Sequence, residues 1–291
     1  MALGEIIIIE KEDGRYPALL RQIADPPDRL YGRGNIALLD SFAIGVVGTR
    51  KASDYGKQVC RDITGGLANA GVTIVSGLAS GIDASAHAAA LEAKAKTIAV
   101  FGTGVDDEVI FPKANLPLAH DILAGDGLLL SEYAPGTPGQ QWTFPSRNRI
   151  ISGLSRGVLV IEADRKSGSL ITAKSALDQN RDVFSVPGSV YWPRSVGTNW
   201  LISQGAHVAL DAASILEHYR LQQIRLPETD VSTADPVQDR ILALLRERGP
   251  MHVDAIAAVS DSDPSRVIAA IAILELQTII VHHGAGIYRL P

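Results

Sequence analysis

The stretch Ala43-Ile-Gly-Val-Val47, followed by residues 55–70 and then Val72-Thr-Ile-Val75, decides the fold class. Its first and last segments are short, continuous apolar runs, which is typical of strands that are buried on both faces. The segment between them has apolar residues at helical spacing, namely Val59, Ile63, Leu67 and Ala70. A buried strand, a helix and a second buried strand predict one unit of a parallel sheet that is covered by helices.

The same alternation continues along the chain. Further apolar runs lie at 97–101, 128–130, 157–161 and 182–186, and helical patterns lie at 82–93, 115–123 and 170–179. We therefore predict an α/β fold over residues 41–220: an extended, Rossmann-like sheet that is doubly wound and mostly parallel. Residues 1–40 are predicted to be an N-terminal lead-in with a single candidate strand at 6–9. Ligands of such sheets bind outside the carboxyl ends of the strands, so a functional site is expected at that edge.

A small C-terminal domain follows a predicted linker at 221–235, which is polar and contains prolines. Residues 236–291 show three helical patterns and then two short apolar runs at 278–281 and 286–290, which predicts a winged-helix domain. From Asp235 to Pro291 there are five arginines against seven acidic residues. The predicted recognition helix contains one cation, Arg266, near its start. Because a reader of duplex DNA needs several phosphate contacts, a protein-interaction or regulatory role is favoured for this domain.

Composition excludes several classes of protein. The chain has 291 residues, of which 46% are hydrophobic and 20% charged, as in ordinary globular proteins. One cysteine, Cys60, allows no intrachain disulfide, and no apolar run is long enough to span a bilayer. The start of the chain lacks the basic region of a secretion signal, so a cytoplasmic protein is expected. No cluster has metal-ligand spacing, and we expect neither a metal nor a cofactor.

Positive charge is concentrated in one window. Between Gln141 and Trp200 there are eight Lys and Arg against four acidic residues, whereas the whole chain has a net charge of −5. Everything outside this window therefore sums to −9. A positive region on an acidic protein favours a polyanionic ligand over general basicity.

Glycine-rich turns follow the first three predicted strands of the sheet. They are Gly48-Thr-Arg50, Ser76-Gly-Leu-Ala-Ser-Gly-Ile-Asp83 and Gly102-Thr-Gly104. Glycine lets a phosphate approach the backbone, the threonine hydroxyl can donate, and arginine can bind two oxygens at once. The turns match neither the Gly-x-Gly-x-x-Gly fingerprint nor the Gly-x-x-x-x-Gly-Lys-Ser/Thr phosphate loop. They predict a phosphate-binding rim, with tight turns and a helix cap at Ser80 or Asp83 as the open structural alternative.

Taken together, these motifs resemble the DNA-processing protein A family, also called DprA or Smf. The matching elements are Gly-Thr-Arg at 48–50, Ser-Gly-x-Ala-x-Gly-Ile-Asp at 76–83, Phe-Pro-x-Arg-Asn-Arg-Ile-Ile-Ser at 144–152, Glu-Ala at 162–163 and Ser-Gly-Ser-Leu-Ile-Thr-Ala at 167–173. The resemblance implies a protein without catalytic activity that binds single-stranded DNA, usually as a homodimer. It also implies that the protein protects incoming DNA during natural transformation and loads the RecA recombinase.

By position, the resemblance assigns phosphate contacts to four cations, with hydroxyl donors at Ser167 and Thr172. The predicted DNA- or phosphate-binding residues are Gly48, Thr49, Arg50, Ser76, Gly77, Gly81, Gly102, Gly104, Trp142, Arg147, Asn148, Arg149, Lys166, Ser167, Gly168, Ser169 and Thr172. The four cations in this set are Arg50, Arg147, Arg149 and Lys166. Trp142 is a candidate for stacking on bases, and a place in the core is the equally open alternative.

Two other functions use the same rim. The layout is similar to that of phosphoribohydrolases that cleave nucleoside monophosphates with an arginine and a glutamate, here Glu162, but their Pro-Gly-Gly-x-Gly-Thr signature is absent. The other alternative is a mononucleotide sensor coupled to the winged helix.

Overall fold

The computed structural model of the protein describes residues 4–221, 235–260, 262–277, 279–282, 284 and 286–290. The chain divides into two compact units, residues 1–224 and 225–291. The predicted linker, residues 221–235, lies outside the described residues except for its first and last positions. No helix in the described ranges combines the length and the apolar character that crossing a bilayer requires.

The first unit is a nine-stranded sheet between two layers of helices. Its strands are β1 Ile6–Glu10, β2 Arg29–Gly34, β3 Ala43–Val47, β4 Thr73–Ser76, β5 Thr97–Phe101, β6 Leu128–Ser131, β7 Gly157–Val160, β8 Asp182–Ser185 and β9 His207–Val208. Its helices are α1 Ala18–Arg21, α2 Asp54–Asn69, α3 Ile82–Glu92, α4 Leu116–Ala124, α5 Thr143–Leu154, α6 Ser169–Asp178, α7 Val196–Ser203 and α8 Ala212–His218.

The strand order is β1-β2-β6-β5-β4-β3-β7-β8-β9. All pairs from β6 to β9 are parallel, whereas β2 pairs antiparallel with both β1 and β6. From β3 the chain builds one side of the sheet through β4, β5 and β6, and then returns to build the other side from β7. The gap between β3 and β7 is therefore the topological switch point, where ligands of such sheets bind.

Both faces of the sheet are buried, because side chains alternate between two cores. Ile44 and Val46 of β3 pack in one core with α2, α3 and α8, where Cys60 is fully buried. Ala43 and Val47 of the same strand pack in the other core with α1, α5, α6 and α7. This arrangement accounts for the continuous apolar strands of the sequence, and the predicted doubly wound, mostly parallel α/β class is confirmed.

Two elements of the first unit differ from the sequence analysis. The lead-in contributes two strands to the sheet, and β2 is recognisable only in the structure because its arginines interrupt the apolar pattern. Arg33 is buried there because its guanidinium pairs with Asp107 at 2.6 Å. Residues 143–154 form α5, a helix that the sequence pattern does not predict, with Pro145 in its first turn, where proline is tolerated.

The second unit contains α9 Pro236–Arg248, α10 Val253–Val259 and α11 Pro264–Leu276, with short strands β10 Met251–His252, β11 Val281–His282 and β12 Ile287–Arg289 in the order β10-β12-β11. The three helices enclose a small apolar core that includes Ile241, Ile256 and Ile271. Three helices followed by a hairpin confirm the predicted winged-helix arrangement. Ile268 and Leu276 of α11 are exposed, beside the exposed charges of Arg266 and Glu275.

Candidate functional site

A pocket of about 350 Å³ opens at the switch point, beyond the carboxyl ends of β3 and β7. We call it the switch-point pocket. It is lined by the loop after β3, the loop after β7, one face of α5 and the start of α3. Of the predicted site residues, the structure brings together here Gly48, Thr49, Arg50, Arg147, Asn148, Ser167, Gly168, Ser169 and Thr172.

Arg50 is the exposed cation of this pocket. Its position is fixed by the backbone around it, because the Thr49 amide donates to the Glu162 carbonyl at 2.8 Å and the Ile82 amide donates to the Thr49 carbonyl at 3.2 Å. No hydrogen bond or ion pair joins its guanidinium to another described residue. Arg50 therefore offers a full set of donors to an anionic ligand.

The amino end of α6 faces the same pocket. Within the described helix the first turn carries no acidic residue, and its one side-chain bond is a long one, from the Ser169 amide to the Ser167 hydroxyl at 3.4 Å. Ser167 and Ser169 lie beside it with their hydroxyls 2.8 Å apart, and the buried Thr172 follows one turn later. The Leu170 and Ile171 amides bond locally to the carbonyls of Ser167 and Gly168, each at 3.1 Å, so an anion would be attracted here by the helix dipole and by the hydroxyl groups.

Glu162 occupies the amino end of a different helix. Its buried carboxylate accepts hydrogen bonds from the Ser53 amide at 2.9 Å and the Ser53 hydroxyl at 2.5 Å, at the start of α2. Gly56 leaves room for it, since a side chain at that position would overlap the carboxylate. The amino end of α2 is thus neutralised by a carboxylate from within the protein, whereas the first turn of α6 carries no acidic residue, and Glu162 does not line the pocket.

Arg147 and Asp83 form the buried floor of the pocket. Arg147 donates to the carbonyls of Gly77, at 2.9 Å, and Val100, and burial lowers its pKa to about 10. Burial also raises the pKa of Asp83 to about 6, against the opposing influence of Arg147 and of hydrogen bonds from the amides of Ala79 and Gly77. Arg147 is therefore charged at neutral pH, whereas Asp83 gains or loses its proton about one pH unit below neutrality.

Several predicted residues have packing contacts instead of a place in the pocket. The Ser76 hydroxyl donates to the Val46 carbonyl at 2.6 Å inside the sheet. Four of the predicted glycines have no room for a side chain. An added Cβ would meet the Arg147 guanidinium at Gly77 and the backbone of Thr49 and Arg50 at Gly81. It would meet Phe144 at Gly102 and Asp106 at Gly104. These glycines therefore permit close packing around the pocket, and the structure does not bring them to its surface.

Arg149 and Lys166 also lie outside the lining of the pocket. Arg149 makes ion pairs with Glu132 at 2.7 Å and with Asp25 at 3.1 Å. It follows Arg147 by two positions, and residues two apart on a helix face different directions. Lys166 is exposed in the loop after β7, where its amide donates to the Asp164 carboxylate at 2.7 Å.

An apolar trough of about 590 Å³ adjoins the pocket and shares Arg50, Phe144 and Pro145 with it. Phe111 is half exposed in the trough, and its ring centroid lies 5.7 Å from that of Phe144. Trp142, at the start of α5, is 62% exposed and meets Tyr133 edge-on. The alternative that Trp142 belongs to the core is therefore wrong, and its indole is accessible from solvent.

Sequence reasoning missed four lining residues with distinct chemistry: Asp83, Asp164 and Phe144 in the pocket, and Phe111 in the adjoining trough. Asp83 and Phe144 stand inside motifs that the sequence analysis quotes, so their motif membership was the available signal. Phe111 lies outside every quoted motif, seven residues after Gly104, and folding brings it beside Phe144.

The loops after β3 and β7 carry four exposed cations, namely Arg50, Lys51, Arg165 and Lys166. No ion pair joins any of these side chains to another described residue. Because β3 and β7 are neighbours in the sheet, these loops leave it side by side. The rim is consequently more basic than the pocket floor, where Arg147 faces Asp83.

Comparison with known families matches both units. Residues 7–220 match the sequence model of the family described as DNA recombination-mediator protein A, and residues 226–286 match that of the DprA winged helix domain. DNA processing protein DprA of Bacillus subtilis (strain 168) is 48% identical over 223 residues, which cover 76% of this chain and 72% of that protein.

Two solved structures have the same fold. DNA processing protein A from Streptococcus pneumoniae superimposes with a TM-score of 0.70 and 44% identity, over 74% of this chain and 75% of that one. DNA processing protein A from Helicobacter pylori, whose structure was determined for its single-stranded DNA binding mode, superimposes with a TM-score of 0.67 and 31% identity, over 75% of this chain and 96% of that one.

Proposed function

The chain belongs to the DNA recombination-mediator protein A family, and we propose on this basis that it binds single-stranded DNA across the switch-point pocket and the apolar trough. The observation that carries the proposal is the position of Arg50, which is exposed, lines both cavities and has no ion-pair partner among the described residues. A phosphate that Arg50 binds would have the amino end of α6 on one side and the apolar trough on the other.

Single-stranded DNA fits this combination of surfaces. Its phosphates suit Arg50 and the neighbouring cations Lys51, Arg165 and Lys166, which are exposed on the rim. Its unpaired bases can stack on aromatic rings: Phe111 and Phe144 line the trough that shares Arg50 with the pocket, and Trp142 is exposed at the start of α5. Proteins that bind single strands without sequence preference combine basic grooves with aromatic platforms in this way. Duplex DNA keeps its bases stacked and cannot use these rings.

We propose no catalytic step for this site. The carboxylate on which a phosphoribohydrolase would depend, that of Glu162, is buried against Ser53 at the start of α2. These hydrogen bonds stabilise the amino end of α2, and the Glu162 carboxylate does not line the pocket. These contacts favour binding over hydrolysis as the activity.

The wider role that we propose is that of a recombination mediator. The protein would bind incoming single strands during natural transformation, protect them, and load the RecA recombinase onto them, acting as a homodimer in the cytoplasm. The family description as a recombination mediator supports a recombinase as the partner. Addition of the protein to RecA and strands coated with single-strand-binding protein should raise RecA's DNA-dependent ATPase rate, and light scattering after size exclusion should give twice the chain mass. An unchanged ATPase rate would contradict the loading role, and a monomer mass would contradict the homodimer.

Fluorescence anisotropy of a labelled oligo-dT tests the binding proposal. Affinity should fall steeply with salt, with a log–log slope of roughly −0.7 for each phosphate contact. A duplex of equal length and thymidine monophosphate serve as competitors, and each should compete poorly. Tight competition by the monophosphate together with weak oligonucleotide binding would instead support the nucleotide sensor.

A further inference from the structure

Two histidines and an aspartate converge at an edge of the first unit that the proposed DNA site does not use. Asp182 begins β8, His207 begins β9 and His218 ends α8. The His218 Nε2 lies 3.3 Å from one oxygen of Asp182, the His207 Nε2 lies 3.9 Å from the other, and the ring centroids of the two histidines are 4.4 Å apart. All three groups stand at the amino ends of the strands, whereas the switch-point pocket stands at the carboxyl ends.

These separations are too long for good hydrogen bonds. An N–H···O bond has its heavy atoms 2.7–3.2 Å apart, so neither histidine is well bonded to the carboxylate. Ligands in a tetrahedral zinc site lie about 2.0–2.2 Å from the metal, which places neighbouring ligand atoms roughly 3.3–3.5 Å apart. The three donor atoms lie within 4.8 Å of one another, so side-chain rotations that shorten the longest separation by up to about 1.3 Å give that spacing.

The surrounding residues hold the three groups in this orientation. Phe184 packs against both imidazoles, with ring centroids 5.3 Å from His207 and 5.2 Å from His218. The Tyr219 hydroxyl donates to an oxygen of Asp182 at 2.8 Å, which is the kind of outer contact that fixes a ligating carboxylate. The side chains of the three groups are 31–48% exposed, so an ion and a water ligand can reach them from solvent.

We propose that Asp182, His207 and His218 form a zinc-binding site, with water as the fourth ligand. Two imidazoles and one carboxylate are a ligand set that Zn²⁺ accepts. Strand β9 is a two-residue edge strand that pairs with β8 at two positions. The ion would link β9 and α8, the last helix of the first unit, to β8. The site would stabilise this edge of the unit. It is independent of the proposed function, because it shares no residue with the pocket or the trough.

Metal titration of the full chain tests this inference. Competition between the protein and a chromogenic zinc chelator should show one tightly bound Zn²⁺ for each chain, and Co²⁺ should give the visible absorption bands of a tetrahedral complex. H207Q and H218Q should each weaken Zn²⁺ binding on the order of 100-fold and abolish those bands. H120Q is the matched control, since His120 pairs with Asp107 elsewhere in the unit, and its affinity should equal that of the wild type.

Thermal unfolding provides the second readout. Zinc at about 100 times its dissociation constant should raise the melting temperature of the wild type and of H120Q by roughly 5–10 °C, and that of H207Q and H218Q by much less. Circular dichroism confirms that each variant is folded before it is titrated. Absence of tight Zn²⁺ binding by the wild type, or equal affinity in H207Q, H218Q and the wild type, would leave only an electrostatic cluster of His and Asp and would overturn the inference. Oligo-dT affinity is measured in parallel and should be unchanged in all variants.

Discussion

Arg147 donates from its buried guanidinium to the carbonyl of Gly77 at 2.9 Å, so this arginine of α5 is fastened to the backbone at the end of β4. A second bond to the Val100 carbonyl extends the connection to β5. The same guanidinium lines the switch-point pocket beside Asp83. The floor of the site is therefore part of the structural core, whereas its exposed charge comes from Arg50.

Replacement of Arg147 should mainly reduce stability. Arg147→Met leaves two buried carbonyls without their donor and Asp83 without its cation, so the free energy of unfolding should fall by about 3–5 kcal/mol. Urea denaturation measures this change. Arg50→Met is the matched control, because Arg50 is exposed and unpaired among the described residues, and its cost should stay within about 0.5 kcal/mol. A fully stable Arg147→Met variant that lost only its DNA affinity would show that Arg147 acts as a ligand alone.

Asp83 should make DNA binding dependent on pH. Its pKa is raised to about 6 by burial, so it loses its charge as pH falls through 6, and an anion in the pocket above it is then repelled less. Oligo-dT affinity should rise several-fold between pH 7.5 and 5.5. In Asp83→Asn the affinity at pH 7.5 should already match the higher value, and the dependence on pH should be flatter. Identical pH profiles for the two proteins would rule out this role.

The same pKa has a consequence for stability, with the sign opposite to that of an ordinary ion-paired aspartate. The folded pKa of about 6 lies above the value of 3.8 for an unperturbed aspartate, so Asp83 contributes stability that is complete below pH 3.8 and is lost as pH rises through 6. The stability of Asp83→Asn relative to the wild type should therefore be greater at pH 7.5 than at pH 4. Urea midpoints at the two pH values measure the difference, and an equal difference at both would contradict the assignment.

Gly81 should tolerate no side chain. Its φ of +83° is a conformation that favours glycine, and an added Cβ would overlap the backbone of Thr49 and Arg50. Gly81→Ala should displace the loop that carries Arg50, lowering both stability, by about 1–3 kcal/mol, and oligo-dT affinity. Gly168→Ala, at the start of α6, has open space around it and should be neutral in stability. Equal behaviour of the two alanine variants in thermal unfolding would refute this explanation.

Trp142 should contribute to affinity and not to folding. Its indole is 62% exposed, and stacking of one base on an aromatic ring is worth roughly 1–3 kcal/mol, so Trp142→Ala should weaken oligo-dT binding by about 5- to 150-fold at unchanged melting temperature. Trp142→Phe keeps an aromatic face and should retain most of the affinity. If the alanine variant bound as tightly as wild type, the path of the strand would have to run elsewhere.

The sequence was sufficient for the parallel sheet because its strands are buried on both faces and appear as uninterrupted apolar runs. It was insufficient for β2, where buried Arg33 is neutralised by Asp107 from a distant part of the chain. It also did not predict α5, where Asn148, Ser152 and Gly153 weaken helical propensity and packing against the sheet compensates. Both cases are contacts across the fold that local patterns do not contain.

The sequence predicted which loops form the site, but it did not predict which of their side chains line the pocket. Residues that follow β3 and β7 met at one pocket, as the topology of a parallel sheet requires. The separate positions of Arg147, Arg149 and Glu162 depend on helix phase and on partners such as Glu132 and Ser53, which no motif specifies. The convergence of Asp182, His207 and His218 was hidden for the same reason.

The affinity of Arg50→Glu for labelled oligo-dT tests the central claim most directly. Lys94→Glu is the charge-matched control, because Lys94 is exposed just beyond the carboxyl end of α3, whereas the start of α3 faces the pocket. If Arg50 is the main phosphate contact, Arg50→Glu should weaken binding at least 100-fold at unchanged melting temperature, and Lys94→Glu should bind within about two-fold of wild type. Equal affinities for Arg50→Glu, Lys94→Glu and wild type would show that single-stranded DNA does not bind at the switch-point pocket.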